Sequence, residues 1–153
     1  MENLKIVCTI VGKFLVRLGK ALMLPIAVLP IAGLLLRLGQ PDLLNVAFIS
    51  QAGGAVFTNL PIIFAIGVAI GFAKENHGAA ALAAFVGYVI LTATLKTLDP
   101  DINMDILGGI ITGAVAGCLY NKYKDIALPP YLAFFGGKRF VPIVTGAVCL
   151  LLA

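Results

Sequence analysis

The residues best suited to chemistry lie in one short stretch, FFGGKRFVPI, which runs from residue 134 to residue 143. Two glycines followed by Lys138 and Arg139 could cradle a phosphate, contact a membrane surface or only separate two helices. The spacing does not match the phosphate-binding loop GxxxxGK[ST], because Leu132 stands where the first glycine belongs and Phe140 follows the Lys-Arg pair. The two cations alone therefore do not predict phosphate binding by this chain.

Other side chains offer little for catalysis. His77 shares the segment KENHG with Glu75, and no partner is placed to orient it as a general base, so we interpret it as a solvated loop residue. The motifs HExxH and GxSxG are absent from the sequence, as are paired cysteine dyads. We predict no catalytic residue, no metal site and no cofactor. The three cysteines, which we interpret as small membrane-buried apolar residues, are Cys8, Cys118 and Cys149.

The composition of the chain indicates a membrane protein. Of its 153 residues, 61% are hydrophobic and only 12% are charged, and the mean hydropathy is +1.07. A soluble domain would be about a quarter charged. Uncharged runs of about twenty residues are typical of helices that cross a bilayer. We therefore predict an all-α polytopic membrane protein whose surroundings are the lipid bilayer, with no nucleic-acid partner.

Residues 1–20 are predicted to form an amphipathic helix that lies in the membrane interface. Their cations fall on one face of a helical wheel and their apolar residues on the opposite face, which suits a helix with its cations toward anionic headgroups. The alternative is a simple cytoplasmic extension of the first span. The cations are Lys5, Lys13, Arg17 and Lys20, and the apolar residues are Leu4, Val7, Val11, Phe14, Leu15 and Leu18.

Residues 21–153 are predicted to form a bundle of about five transmembrane helices. The fourth apolar segment is short for a full crossing. The fifth ends at Ala153 without a charged or aromatic anchor, so we expect the chain to stop within this span. Pro25, Pro30 and Pro61 each remove a backbone donor and predict kinks or breaks in the first two spans. The apolar segments are 21–38, 52–73, 79–95, 106–121 and 140–153.

Loop charges predict the orientation in the membrane. With the N-terminus in the cytoplasm, the outside loops carry only two cations, Arg37 and Lys96. The positive-inside rule therefore favours a cytoplasmic N-terminus and places residues 136–139 on the cytoplasmic side. The nine cations on the inside are Lys5, Lys13, Arg17, Lys20, Lys74, Lys122, Lys124, Lys138 and Arg139.

Small residues at helical spacing predict close helix packing. Gly109, Gly113 and Gly117 recur every four residues, and Gly67 and Gly71 form a second such pair. Glycine at this spacing lets the backbones of two membrane helices approach each other. The sequence leaves open whether the partner helix comes from the same chain or from a second copy.

Three stretches of sequence carry a resemblance to a known family. Together they resemble the membrane-embedded IIC component of the glucose superfamily in the bacterial phosphoenolpyruvate-dependent sugar phosphotransferase system. The segments RLGQPDLLN and INMDILGGIITG favour its N-acetylglucosamine branch over glucose or maltose. The stretches are GKALMLPIAVLPIAGLLLRLGQPDLLN (19–45), GGAVFTNLPIIFAIGVAIGFAKENHGAAALAA (53–84) and INMDILGGIITGAVAGCLYNKYKDIALPPYLAFFGGKRFVPI (102–143).

The resemblance implies group translocation across the bacterial cytoplasmic (inner) membrane. A IIC component takes a sugar from outside and presents a hydroxyl to a phosphocysteine on a cytoplasmic IIB domain, which a IIA domain serves in turn. The complete system is thus a sugar phosphotransferase, and its IIC component is a homodimer. The stretches above correspond to the N-terminal half of that fold. We therefore expect neither the central sugar site nor the phosphorylated cysteine among these residues.

The resemblance also suggests which residues border the sugar path. Gly137, Lys138 and Arg139, followed by Phe140, correspond to a cytoplasmic loop near the sugar exit and the phosphodonor. Met23 in LMLP corresponds to another position on the pathway.

Asn59, in FTNLP, is a candidate sugar-facing group beside the predicted break at Pro61, and the alternative is an interhelical hydrogen bond. Thr58 departs from the family, which usually has Asp or Ala before this asparagine.

Three alternatives stay open at this point. The sugar could be glucose or another sugar of the superfamily. The chain alone could be a dimerising membrane scaffold without activity, which its glycine repeats favour. It could also pair with a separately encoded second half.

Overall fold

The computed structural model of the chain describes residues 2–153, with side chains from Lys5 onward. These residues form seven α-helices and two short 3-10 helices, so the predicted all-α fold is confirmed. Met1 and the side chain of Leu4 lie outside this description. The α-helices are α1 (Glu2–Ile26), α2 (Leu29–Leu38), α3 (Ala47–Thr58), α4 (Leu60–Phe72), α5 (Gly78–Leu98), α6 (Asp105–Tyr123) and α7 (Phe140–Leu152), and the 3-10 helices are Pro130–Phe135 and Gly137–Arg139.

The N-terminal helix continues through residue 20 without a break. It ends at Ile26 and α2 begins at Leu29, so the α-helix is interrupted between Pro25 and Pro30, as their missing N–H groups predict. The run Lys5–Leu38 is 34 residues long. At 1.5 Å per residue it would extend about 51 Å, well beyond the roughly 30 Å of a hydrocarbon core. A straight, untilted helix of this length would extend beyond the hydrocarbon, and the interfacial position of residues 1–20 stays a prediction.

The apolar face of α1 meets the rest of the bundle only from Phe14 onward. The rings of Phe14 and Phe72 lie 5.3 Å apart, and Leu18 packs against Val68 and Phe72 of α4. Earlier apolar side chains on this face, such as Val7, are exposed. The first half of α1 therefore extends past the bundle with an apolar face that the described residues do not cover.

The second apolar segment is a broken helix. Helices α3 and α4 meet at Asn59 and are bent by 55° relative to each other, with Pro61 in the first turn of α4. The predicted break at this proline is therefore confirmed. By length and composition, the described residues contain two helices able to cross a membrane, Lys5–Leu38 and Gly78–Leu98, or three if the bent pair is one span. This is fewer than the five crossings that the apolar segments predicted, because α7 is short and α6 ends in polar residues.

The glycine stripe of α6 packs against α4 of the same chain. A Cβ atom on Gly113 would lie 2.5 Å from the carbonyl oxygen of Ala65, and one on Gly117 would lie 2.9 Å from that of Ala69. A Cβ on Gly109 would overlap the Pro61 carbonyl. The stripe thus allows two helix backbones to touch, and it needs no second copy as its partner.

The second glycine pair serves another contact of α4. Added Cβ atoms on Gly67 and Gly71 would overlap Pro25 and Ala21 of α1. Helix α4 therefore lies between α1 and α6 with close backbone contacts on both sides. Both glycine patterns, whose partner helices the sequence left open, are used for packing within the chain.

Helices α5, α6 and α7 meet at a third close contact. A Cβ on Gly87 of α5 would lie within 3.0 Å of side-chain atoms of Thr112, Thr145 and Cys149. Both threonine hydroxyls donate to carbonyls of their own helices, at 2.7 and 2.8 Å, so no polar group is left unpaired here. Among the cysteines, only Cys149 is buried in the bundle. Cys8 and Cys118 are exposed on its surface, and all three are free thiols.

Candidate functional site

Charged side chains from three separate loops meet at one end of the bundle. Glu75 lies in the turn between α4 and α5, Lys124 follows the end of α6, and Lys138 lies in the turn before α7. The Lys138 ammonium lies 3.0 Å from Oε2 of Glu75, the Tyr120 hydroxyl donates to the same oxygen at 3.0 Å, and Lys124 pairs with Oε1. We call these four residues, Glu75, Tyr120, Lys124 and Lys138, the charge cluster.

The electrostatics of the charge cluster keep its carboxylate ionised. Hydrogen bonds from Lys124, then Lys138 and Tyr120, lower the pKa of Glu75 from 4.5 to about 2. The same carboxylate raises the pKa of both lysines. Two ammonium groups thus surround one carboxylate at neutral pH. The cluster itself carries a net positive charge, which Asp125 offsets at 3.7 Å from the Lys124 ammonium. It is suited to hold charged groups by ion pairing rather than to transfer a proton.

A pH dependence of stability follows from the lowered pKa of Glu75. A carboxylate whose pKa is lower in the folded state stabilises that state above its unfolded pKa, and this contribution is lost as the pH falls through the folded value. We expect the loss between about pH 4.5 and pH 2. Thermal unfolding in detergent at stepped pH measures it, with Glu75→Gln as the comparison. The variant should show a weaker pH dependence in this window, and identical profiles for the two proteins would contradict the assignment.

The turn that carries Glu75 is fixed at the end of α4. The side chain of Asn121 donates to the Phe72 carbonyl at 2.7 Å and accepts from the Lys74 amide at 2.8 Å. The Arg17 guanidinium donates to the same Phe72 carbonyl at 3.2 Å. These bonds satisfy backbone groups that a helix terminus leaves without partners. The turn is therefore held by both α1 and α6.

His77 has a structural role that its sequence context did not suggest. Its Nδ1 accepts a hydrogen bond from the Ala79 amide at 3.0 Å and so caps the start of α5. Its ring stacks on Tyr120, with the ring centroids 6.0 Å apart. The interpretation of His77 as only a solvated loop residue is therefore incomplete, because it also orders the turn beside Glu75.

The loop before α7 directs its two cations to different partners. Lys138 contacts Glu75, whereas the Arg139 guanidinium lies 4.8 Å from the centre of the Phe134 ring and donates to the Phe134 carbonyl at 3.3 Å. The Gly137 amide donates to the Ile126 carbonyl at 2.9 Å, which closes the loop. Gly137 has φ +65°, a left-handed conformation that glycine adopts without strain.

Substitutions at Gly137 should separate conformational strain from side-chain size. Asparagine tolerates the left-handed conformation and valine does not, so Gly137→Val should displace Lys138 more than Gly137→Asn. We expect Gly137→Val to destabilise the folded chain by roughly 1–3 kcal/mol, and Gly137→Asn by less. Thermal unfolding in detergent compares the two variants. Equal losses of stability would show that the backbone conformation at this position is not limiting.

The structure does not bring all five sequence-predicted residues together. Gly137, Lys138 and Arg139 share one loop, but no described contact joins Met23 or Asn59 to it. Met23 is 69% exposed, in the last turn of α1. The Asn59 amide donates to the Ala55 carbonyl of its own helix segment at 2.8 Å, so its hydrogen bond among the described residues is not interhelical. Both residues lie on the open surface of the described bundle.

Sequence reasoning missed the partners of Lys138. Glu75 was noted only as a neighbour of His77, Lys124 only as a topology cation, and Tyr120 not at all. The sequence did contain one signal for these partners. Glu75 is an acidic residue in a short loop, and the other loops predicted on the same side of the membrane are basic, which favours ion pairing. The described residues hold no group of three metal-ligating side chains. The described residues of the charge cluster therefore offer charge and hydrogen bonds.

The fold and the charge cluster define a helical membrane domain whose loops gather cations at one end. The chain belongs to the EIIC family of the phosphotransferase system: the model described as "Phosphotransferase system, EIIC" matches residues 19–153. This confirms the family resemblance that the sequence carried. The match includes the whole charge cluster.

The relatives of the chain are sugar-specific components of this system. It is 66% identical over 140 residues to the N-acetylglucosamine-specific EIICBA component of Escherichia coli (strain K12), covering 92% of this chain and 22% of that protein. It is 53% identical to the N-acetylglucosamine-specific EIICB component of Bacillus subtilis (strain 168), covering 92% and 31%. It is 52% identical to the glucosamine-specific EIICBA component of the same organism, covering 92% and 24%. The chain thus spans between about a fifth and a third of the length of these relatives.

Proposed function

We propose that the chain forms the N-terminal membrane bundle of an N-acetylglucosamine-specific IIC permease. The complete protein would take up the sugar and phosphorylate it from a phosphocysteine on a IIB domain. The observation that carries the choice of sugar is the order of identities. Relatives named as N-acetylglucosamine-specific are 66%, 64% and 53% identical, whereas a glucosamine-specific and a glucose-specific relative are 52% and 46% identical.

The contribution of this chain to phosphorylation would be electrostatic. The Lys138 ammonium, on a loop that Gly137 shapes and Arg139 anchors, would face the phosphodonor and the sugar leaving the membrane. Cations that meet developing phosphoryl charge stabilise transfer without becoming covalently modified. Met23 and Asn59 would border the sugar path on the surface that the rest of the protein covers. The phosphorylated cysteine and the central sugar site would belong to that remaining part.

The partners of the chain follow from the same proposal. Its relatives include single proteins named EIICBA, so IIB and IIA would act as attached domains or as subunits. The bilayer would be the bacterial cytoplasmic membrane, with the N-terminus inside. The charge distribution supports this orientation, because Arg17, Lys74, Lys124 and Lys138 all lie at the end of the bundle near Glu75.

Cysteine labelling tests the orientation. In the complete protein without its native cysteines, a cysteine replacing Lys74 should react with a membrane-impermeant maleimide only after the cells are permeabilised. A cysteine replacing Asp101, at the opposite end of α5, should react in intact cells. The reverse labelling pattern would overturn the proposed orientation.

A homodimer, which the family resemblance implies, stays part of the proposal without support from the glycine patterns. The glycine patterns pack within the chain, so a dimer would need another surface, such as the exposed side chains of Leu82, Phe85 and Val89 on α5. The alternative of an inactive dimerising scaffold loses the same support. Crosslinked dimers of the 153-residue chain, with no sugar binding by calorimetry, would favour the scaffold. Measurable N-acetylglucosamine binding would count against it.

A competition between sugars tests the proposed specificity. Vesicles that contain the complete protein are supplied with phosphorylated IIB and with equal amounts of N-acetylglucosamine, glucosamine and glucose. We expect N-acetylglucosamine to be phosphorylated with the highest kcat/KM. A preference for glucosamine or glucose would show that the assignment to the N-acetylglucosamine branch is wrong.

A further inference from the structure

The charge cluster suggests a role for a residue that lies outside the proposed sugar path. Lys138 has one carboxylate partner in the described residues, Glu75, and that carboxylate has two other partners. We propose that Glu75 is a positioning residue, which holds the Lys138 ammonium in place until phosphoryl oxygens replace the carboxylate as its partner. The proposal rests on the proposed function, because it assumes that a phosphoryl group reaches this loop.

The neighbouring contacts hold the Glu75 carboxylate in a fixed position relative to the loop that carries Lys138. Its turn is bonded to Asn121, and the ring of neighbouring His77 stacks on Tyr120, so the carboxylate has little freedom to follow the lysine. Hydrogen bonds hold the residues on both sides of Lys138. The Gly137 amide donates to the Ile126 carbonyl, and the Arg139 guanidinium donates to the Phe134 carbonyl. What remains free is the direction of the long Lys138 side chain. Glu75 determines that direction.

The same geometry lets Lys138 leave without exposing an unpaired charge. Lys124, whose side chain is only 18% exposed, and the buried Tyr120 hydroxyl stay bonded to Glu75 after Lys138 departs. The side chains of Lys138 and Glu75 are each 41% exposed, and ion pairs that open to water contribute little stability. Hydrogen bonds between an ammonium and phosphoryl oxygens are among the stronger ones in proteins. The exchange of partners is therefore favourable when a phosphoryl group arrives.

Kinetics of the complete protein test this role. In vesicles with N-acetylglucosamine and phosphorylated IIB, Glu75→Gln should lower kcat on the order of tenfold to a hundredfold, the range expected from misplacing a reacting or binding group. The KM for the sugar should stay unchanged. Glu75→Asp should recover part of the rate. The double variant Glu75→Gln with Lys138→Gln should be no slower than Lys138→Gln alone, because Glu75 acts through Lys138.

A matched control lies beside the charge cluster. Asp125 is 3.7 Å from the Lys124 ammonium and 82% exposed, and Lys138 is not among its described ion-pair partners. Asp125→Asn should therefore keep the wild-type kcat. A wild-type rate for Glu75→Gln, or a rate loss in the double variant equal to the product of the two single losses, would overturn the proposal.

A second measurement does not depend on transport activity. Acetylation of lysines by a water-soluble reagent, followed by mass spectrometry, should modify Lys138 faster in Glu75→Gln and Glu75→Asp than in the wild type. Lys122, which contacts the ring of Tyr123, serves as the internal reference. Unchanged Lys138 reactivity would overturn the positioning role. If the wild type did not phosphorylate the sugar but its Lys138 was acetylated slowly, the proposed function would be contradicted. The ion pair between Glu75 and Lys138 would still be supported.

Discussion

Replacing Gly113 by valine is expected to destabilise the bundle by about 1–3 kcal/mol, as overpacking of a well-packed core does. A Cβ at this position would lie 2.5 Å from the Ala65 carbonyl oxygen and 2.9 Å from Cβ of Val68. The obstacle is a backbone atom of α4, which cannot rotate aside. Because α4 also packs closely on α1 at Gly67 and Gly71, it has no free direction in which to move.

Thermal unfolding of the purified chain in detergent measures this loss. Gly33→Ala in α2 is the matched control, since an added Cβ there would meet nothing within 4 Å. The control should be neutral or more stable by roughly 0.5–1 kcal/mol, the advantage of alanine over glycine within a helix. If Gly113→Val and Gly33→Ala unfolded at the same temperature, the α4–α6 contact would not be as close as described.

Substituting Lys138 by glutamate in the complete protein is expected to uncouple sugar uptake from phosphorylation. The new carboxylate would face Glu75 in place of the 3.0 Å ion pair, and would repel phosphoryl oxygens as well. We expect the amount of phosphorylated sugar per sugar taken up to fall on the order of tenfold or more. Labelled N-acetylglucosamine, separated from its phosphate after uptake, gives this ratio directly.

Lys122→Glu is the control for the charge change. Lys122 lies near the same end of α6, but it contacts the ring of Tyr123 rather than Glu75. Its substitution should leave the coupling ratio unchanged. If Lys138→Glu left the coupling ratio unchanged, the loop at residues 137–139 would act only as a membrane anchor.

Much of the fold was predictable because prolines and hydrophobic runs act locally. Pro25, Pro30 and Pro61 each remove a backbone donor. The α-helix is interrupted between Pro25 and Pro30, and α3 and α4 are bent relative to each other beside Pro61. The partner of the Gly109 stripe was not predictable, since a row of small residues fits the backbone of any helix of suitable shape. The depth of residues 1–20 in the membrane was not predictable either. Helical periodicity shows which residues share the apolar or the charged face, but it does not give the distance of the helix from the bilayer centre.

The candidate site was predictable only in part. The charge count and the family resemblance drew attention to Lys138, whose turn before α7 is present as expected, with Pro142 in the first turn of that helix. Glu75 and Tyr120 are far from Lys138 in the sequence, and the packing of α4 against α6 brings them together. No local pattern encodes such a contact. The hydrogen bond of Asn59 is different in kind, because its amide donates to Ala55 only four residues earlier in the chain.

The most direct test of the account is the chemical form of sugar that enters vesicles containing the complete protein. With phosphorylated IIB on the cytoplasmic side, labelled N-acetylglucosamine should accumulate inside almost entirely as its phosphate. Without phosphorylated IIB, accumulation should stop. Accumulation of free N-acetylglucosamine at the same rate under both conditions would contradict the proposal that this bundle belongs to a group-translocating permease.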